Sequence, residues 1–335
     1  MAVNVNRFLF TRILGHFPQQ EMTLAFAYGS GVFKQIGNTN PDNMIDFVFA
    51  VDDPVSWHRK NMDRNPSHYS ALRFLGPKGI TVVQDRFGAG VYYNTLVRCE
   101  KRLIKYGVVS TSTLKSDLIH WDTLYLGGRL HKPVEIIKRT SDTKLFNAMR
   151  QNQWNALYTS LLMLPEQISE EYLFKCIAGL SYSGDFRMVF GEDKNKVHNI
   201  VKGNMTEFRK YYKRMLESTE HIYWNKKKRR IEQDRSPACL YSHMEQLPSN
   251  LKNEVVRLSG IKHSDVQEVF TILAREKACT DLVKQGVKNI VKSSTKTQSI
   301  KGIFTAGLSK TYVYSMKKLT KMWKGGKQQK QSKSS

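Results

Sequence analysis

The segment Tyr28-Gly29-Ser30-Gly31 directly follows an apolar run, residues 24–28, that reads as a buried strand. Glycine in such a turn lets backbone N–H groups approach a phosphate, and the Ser30 hydroxyl adds a donor. Fifteen residues beyond Gly31 comes Asp46, near the start of a second apolar run, residues 44–51. A carboxylate there can hold Mg²⁺ against the phosphates of a nucleoside triphosphate resting on the turn. The plain alternative is a tight turn with Asp46 capping a strand.

Strand, Gly-Ser turn, helix, then a strand bearing a carboxylate is the layout of the nucleotidyltransferase fold. Members often carry two carboxylates two residues apart, both facing the metal through strand alternation. Here the residue two after Asp46 is Val48, so a second ligand must come from elsewhere. Asp52 shares the strand parity but lies about 20 Å away on an extended chain. Asp117, on an expected helix, and Glu135, in a later expected strand, are the better candidates. The alternative for each is a solvated surface acid.

The elements that must position these groups fall into three regions. Residues 1–142 are mixed α/β, with strands expected at 24–28, 44–51, near Val82, near Val108 and at 133–137. The stretch 116–130 reads as a helix ending at Gly127-Gly128. Residues 143–280 are mainly helical. Leu145, Met149, Leu157, Leu161 and Leu162 mark one amphipathic helix stopping at Pro165, and a second runs from an N-cap at Ser169 to Gly179. The following SYSGDFRMVFGE suggests a winged-helix-like unit with a β wing. KKKRR at 226–230 reads as an exposed basic loop. The expected class is therefore α+β: a nucleotidyltransferase-fold domain, a winged-helix-like helical domain and a basic tail, 281–335. The N-terminal 20 residues, basic and free of acid, fit either a mitochondrial presequence or an ordinary first helix.

Composition narrows the function classes. The 335 residues carry 53 Lys+Arg against 29 Asp+Glu, a formal charge of +24. No apolar run reaches the roughly 18 to 20 residues a bilayer span requires. Four scattered cysteines argue against a disulfide framework or a thiolate zinc site. From Lys284 onward there are 13 lysines and no acid, leaving 40 basic against 29 acidic groups before it. Such a segment points to an anionic partner, nucleic acid or an anionic lipid surface, the plain alternative being a solvated basic tail. Within it Ile300, Phe304, Leu308, Tyr312, Met316, Leu319 and Trp323 step by 4, 4, 4, 4, 3 and 4, one helical face. An apolar face flanked by lysines suits an interfacial helix on an anionic membrane surface, whereas a nucleic-acid tail needs no such stripe.

The strings AYGSGVFKQ, MIDFVFAVDDPVSWH, SHYS, GAGVYYN, LIKYGV, LYLGGRLHKPV, GLSYSGDFRMVFGEDKNKVHNIV and KGIFTAG together resemble the mitochondrial phosphatidate cytidylyltransferases. That family is also called the mitochondrial translocator assembly and maintenance proteins. The resemblance spans about residues 24–323, with few matching strings at 219–281. It implies a peripheral CDP-diacylglycerol synthase on the matrix face of the mitochondrial inner membrane. Its product would feed phosphatidylglycerol and cardiolipin synthesis. It also implies a nucleotidyltransferase domain, a winged-helix-like domain and a membrane-associating C-terminal segment.

Residue reading and resemblance converge on one mechanism. CTP lies on Gly29-Ser30-Gly31, and Asp46 with Asp117 or Glu135 holds Mg²⁺. The phosphate of phosphatidic acid attacks the α-phosphorus and pyrophosphate leaves. Lys105 and Arg187 neutralise phosphates, while Tyr92, Tyr93 and Asn94 position the base or lipid; a buried aromatic pair is the alternative there. Nucleic acid is not expected as a partner. Two rival readings are an RNA-directed nucleotidyltransferase and a non-catalytic import or assembly factor on the same scaffold.

Overall fold

The computed structural model describes residues 2–33, 35–36, 43–190, 195–262 and 265–306. Helix α1 (Ala2–Gly15) leads into strands β1 (Met22–Tyr28) and β2 (Ile45–Val51). Then come α2 (Pro54–Arg64), 3-10 turns at Pro66–His68 and Ala71–Leu75, α3 (Gly76–Arg86), β3 (Val91–Cys99) and β4 (Arg102–Ser110). Helices α4 (Thr111–His120) and α5 (Gly127–Leu130) precede β5 (Glu135–Lys138). These strands form a five-stranded mixed sheet in the order β3-β4-β2-β1-β5, with β2 parallel to β4 and the other pairs antiparallel.

Both faces of the sheet are covered, which explains why β1 and β2 are apolar without alternation. On one face Phe10, Ile13, Leu14 and Phe17 pack with Phe47, Phe49, Trp57 and Tyr106. The first helix is thus part of the core. On the other face Phe26, Val48, Tyr93 and Val109 meet Leu114, Leu118, Leu130 and Leu145.

A second, helical core follows. It is built by α6 (Thr143–Met163), α7 (Glu170–Gly179), α8 (Arg187–Phe190), α9 (Lys196–Gly203), α10 (Met205–Ser218), α11 (Pro237–Glu245), α12 (Ser249–Ser259), α13 (Val266–Arg275) and α14 (Cys279–Ala306). A small sheet, β6 (Gln167–Ser169), β7 (Ile222–Asn225) and β8 (Arg230–Gln233), lies at its side in the order β6-β8-β7. The Ser169 hydroxyl accepts from the Tyr172 N–H at 3.1 Å, so the expected cap of α7 is in place. The basic run at 226–230 is the exposed β7–β8 turn with the first residue of β8.

Four expectations change. Residues 80–83 are helical rather than a strand: Pro77 starts α3 and its inward face is Ile80 and Gln84. The stretch 116–130 is broken, because α4 ends on Trp121 in a left-handed conformation, φ 57°, and helix resumes only at Gly127. No wing strand forms at 181–190; that segment is 3-10 turn and short helix, and the strands beside the helices come from 167–169 and 222–233. Finally, the described part of the basic tail is built into the fold. Val283, Val287 and Val291 of α14 are buried in the helical core, while Ser294, Gln298, Lys301 and Thr305 are buried further along it.

Candidate active site

The five-stranded sheet places Tyr28, Asp46 and Lys105 side by side, since Asp46 pairs with Tyr28 on one side and Lys105 on the other. The Lys105 ammonium lies 3.8 Å from the Asp46 carboxylate and 4.3 Å from the Tyr93 ring centroid. The Tyr28 and Tyr93 hydroxyls are 3.3 Å apart. Burial raises the pKa of both phenols, so they are neutral hydrogen-bonding groups. Gly29 follows with φ +81°, and a Cβ there would sit 3.1 Å from the Asp46 carboxylate. Only glycine combines that backbone with so close an approach. Together Gly29, Ser30, Asp46 and Lys105 form one wall of an open cleft.

The rest of the lining is largely helical and strongly cationic, and it meets the sheet wall where the Arg129 guanidinium lies 5.3 Å from the Tyr28 ring centroid. It brings Arg129, Lys132, Arg187 and Lys196 together with Ser181 and Tyr182. The Arg129 guanidinium stacks 3.9 Å from the Tyr125 ring centroid, and its buried Nε has no hydrogen-bond partner among the described residues. Lys132 donates to the Gly128 carbonyl and, at 2.9 Å, to the Ser181 hydroxyl. Burial, with Arg129 and Lys196 nearby, pushes its pKa down to about 7. Arg187 is fixed by a two-pronged bond to buried Asp185, at 3.0 and 2.6 Å. Among the described lining residues five cations face a single carboxylate, Asp46. A cleft of that composition attracts anions.

The loop carrying Arg129 and Lys132 is held by Asp117. Its carboxylate is buried and accepts from the N–H groups of Thr123, Leu124, Leu126 and Gly127 and from the Thr123 hydroxyl, all within 2.8–2.9 Å. Asp117 is therefore a loop organiser with its oxygens committed, not the second metal ligand or catalytic acid its position suggested. Tyr211 and Tyr212 donate to the carbonyls of Leu130 and His131, and Ser294 of α14 donates to the carbonyl of Thr123. Gly128 passes so close to Ser181 that a Cβ would overlap it, at 2.1 Å.

Other expected residues fall elsewhere. Glu135 pairs with Ala27, one residue out of step with the Tyr28–Asp46 row, which puts it on the opposite face of the sheet. Asn94 likewise faces away, donating to the Tyr106 hydroxyl at 2.8 Å in the buried network beneath the sheet. Tyr92 packs there with His58 and Tyr69. Gly31 packs against the backbone of Met44 and Ile45 at the start of β2. Ser30, Lys105 and Arg187 do reach the cleft, and Tyr93 supports Lys105 from behind. Sequence reasoning missed Arg129 and Lys132; their i, i+3 spacing directly after Gly127-Gly128 was the available signal. Of the apolar stripe, Phe304 is exposed, while Leu308, Tyr312, Met316, Leu319 and Trp323 lie outside the described residues.

No cluster of three or more His, Cys, Asp or Glu side chains suited to a metal occurs among the described residues. The Asp46 carboxylate, open to the cleft beside the Gly29-Ser30 turn, is the kind of ligand Mg²⁺ takes, since that ion is commonly held by one or two carboxylates with the remaining positions filled by substrate oxygens and water.

Residues 10–321 match the family described as phosphatidate cytidylyltransferase, mitochondrial. Proteins carrying that name in Danio rerio and Xenopus laevis are each 52% identical, over 97% and 94% of both chains. One from Caenorhabditis elegans is 38% identical over 94% of this chain and 98% of its own. The chain belongs to the mitochondrial phosphatidate cytidylyltransferase family.

Proposed function

We propose that this chain transfers the cytidylyl group of CTP to phosphatidate, forming CDP-diacylglycerol and releasing pyrophosphate. One observation carries the reading: among the described lining residues a single carboxylate, Asp46, stands against a Gly-Ser turn in a cleft that also gathers five cations. The names of the relatives supply the substrates and favour a lipid acceptor over RNA.

The reaction brings two anions together, so charge compensation and alignment are the catalytic task. In this reading the sheet wall takes CTP. Its phosphates rest on Gly29 and Ser30 with Lys105 alongside, and Asp46 would hold Mg²⁺ brought in with the nucleotide. Bound there, the ion supplies further charge neutralisation on the triphosphate oxygens. The helical wall takes the phosphatidate headgroup: Arg129, Lys132, Arg187 and Lys196 compensate its charge and aim one oxygen at the α-phosphorus. That oxygen forms the new P–O bond as the bond from the α-phosphorus to the bridging oxygen breaks, and the electron pair leaves with pyrophosphate. The nucleophile is already ionised, so no general base is needed. The sheet domain acts as a nucleotidyltransferase domain and the helical region as its lipid-side partner. The winged-helix likeness has no further support.

No described helix is long and apolar enough to cross a membrane. We place the protein peripherally on the matrix face of the mitochondrial inner membrane, where its product would feed phosphatidylglycerol and cardiolipin synthesis. The test is pyrophosphate release by purified protein with Mg²⁺, each ribonucleoside triphosphate, and vesicles with or without phosphatidate. Release only with CTP and phosphatidate supports the reading. Release that does not depend on phosphatidate contradicts it.

A further inference from the structure

Near its C-terminal end α14 is lashed to the first region. The Gln298 side chain accepts from the Ala89 N–H at 2.9 Å and donates to the Val91 carbonyl. Lys301 donates to the carbonyls of Gln84 and Phe87, and the Ser70 hydroxyl donates to the Phe304 carbonyl at 3.2 Å. Around these contacts large apolar side chains face solvent. Phe74 is 80% exposed and Phe304 64%, and Leu75, Phe87, Ile300 and Ile303 are exposed as well. Single exposed apolar residues are ordinary; this many on adjoining segments mark an interaction face.

Charge identifies the occupant. Arg73, Lys78 and Arg86 are exposed on the same 3-10 turn and helix, against one acid there, Asp85. Along α14, exposed Lys292 and Lys296 precede Ile300 and Phe304 at four-residue steps. The described chain ends here, and residues 307–335 add eight lysines and no acid. Aromatic and aliphatic side chains ringed by cations fit the boundary layer of an anionic bilayer.

We propose that the 3-10 turn Ala71–Leu75, Phe87 and the end of α14 form one composite face that docks on an anionic glycerophospholipid bilayer. This extends membrane contact beyond the C-terminal stripe and rests on the reading that the substrate is a membrane lipid. The same helix lines the cleft at Ser294 and Thr295, ten residues before Phe304. That separation is about 15 Å along the axis. Docking thus holds the cleft close to the lipid headgroups.

The experiment uses the full chain and flotation with vesicles of phosphatidylcholine and phosphatidylglycerol. Phosphatidate is omitted so that the substrate site does not contribute. Phe74→Asp combined with Phe87→Asp should weaken vesicle binding at least about tenfold, and Phe74→Ser alone by less. Phe146→Asp, at an exposed phenylalanine on α6, should change nothing. The ratio of turnover on phosphatidate vesicles to turnover on detergent-dispersed phosphatidate should fall with binding. If no variant turns over lipid yet binding still depends on Phe74 and Phe87, the docking face stands and the functional reading fails. Unchanged vesicle binding in the double variant overturns the proposal.

Discussion

The two walls of the cleft are built on different principles. The sheet wall takes its geometry from strand register: neighbouring ladder positions set Tyr28, Asp46 and Lys105 in a row, and the glycine turn lies directly beyond β1. The helical wall has no such repeat. Its cations sit on a loop and on short helices, aligned by Asp117, by carbonyl contacts from Tyr211 and Tyr212, and by the Asp185–Arg187 pair. The two aspartates show the difference most clearly. Asp46 opens onto the cleft with oxygens to spare, whereas Asp117 is buried with its oxygens filled by backbone. An acid's role follows from what already occupies its lone pairs.

The largest effect should come from the sheet wall. Asp46→Asn should lower kcat about 10³-fold with Tm unchanged, because the ion pair it makes with Lys105 is long, at 3.8 Å, and partly exposed. A large loss of Tm would make Asp46 structural and erase the contrast with Asp117.

On the helical wall, Lys132→Met should raise KM for phosphatidate about 10- to 100-fold while leaving CTP binding intact. Lys132 is charged below its pKa of about 7 and neutral above it. Wild-type KM for phosphatidate should therefore climb as pH rises through that value, and Lys132→Arg should flatten the climb. Parallel pH profiles in wild type and Lys132→Arg would remove Lys132 from the site.

Asp117→Asn should act through stability. Replacing one carboxylate oxygen by an amide turns an acceptor toward N–H donors, at about 3 kcal/mol, read as a lower Tm with activity recovered on cooling. Activity lost at every temperature with normal Tm would restore Asp117 as a site acid. The smallest effect should come from Asn94→Ala. Its side chain faces the far side of the sheet, so KM for CTP should stay within about twofold of wild type after correction for folded protein.

Much of the sheet wall was legible in the sequence because strands alternate with period two and Gly-Ser turns have few uses. Ser30 and Asp46 follow from the turn and the apolar strand after it, whereas Lys105 was legible only as a cation and its place beside Asp46 is set by the β2–β4 register. The same parity argument fails for Glu135 and Asn94, since neither register nor the bulge between Ala25 and Phe26 can be read from one strand alone. Asp117 was misread because nothing local shows that the chain turns back to fill its oxygens. Residues 80–83 carry β-branched side chains yet fold as helix, with Pro77 and an inward Ile80 outweighing intrinsic preference. Lysines in α14 suggested a separate tail, but Val283, Val287 and Val291 repeat every four residues and anchor its first half. Arg187 was legible as a cation, whereas Arg129 and Lys132 depend on how a loop closes against Ser181.

The division of labour between the walls is tested most directly by measuring CTP affinity calorimetrically, with Mg²⁺ and no lipid, for wild type, Lys105→Met and Lys132→Met. The account predicts that Lys105→Met weakens CTP binding about tenfold or more, while Lys132→Met binds CTP as wild type does and fails only toward phosphatidate. Equal loss of CTP affinity in both variants would show that the nucleotide spans the two walls, and would contradict the assignment of the helical wall to the lipid.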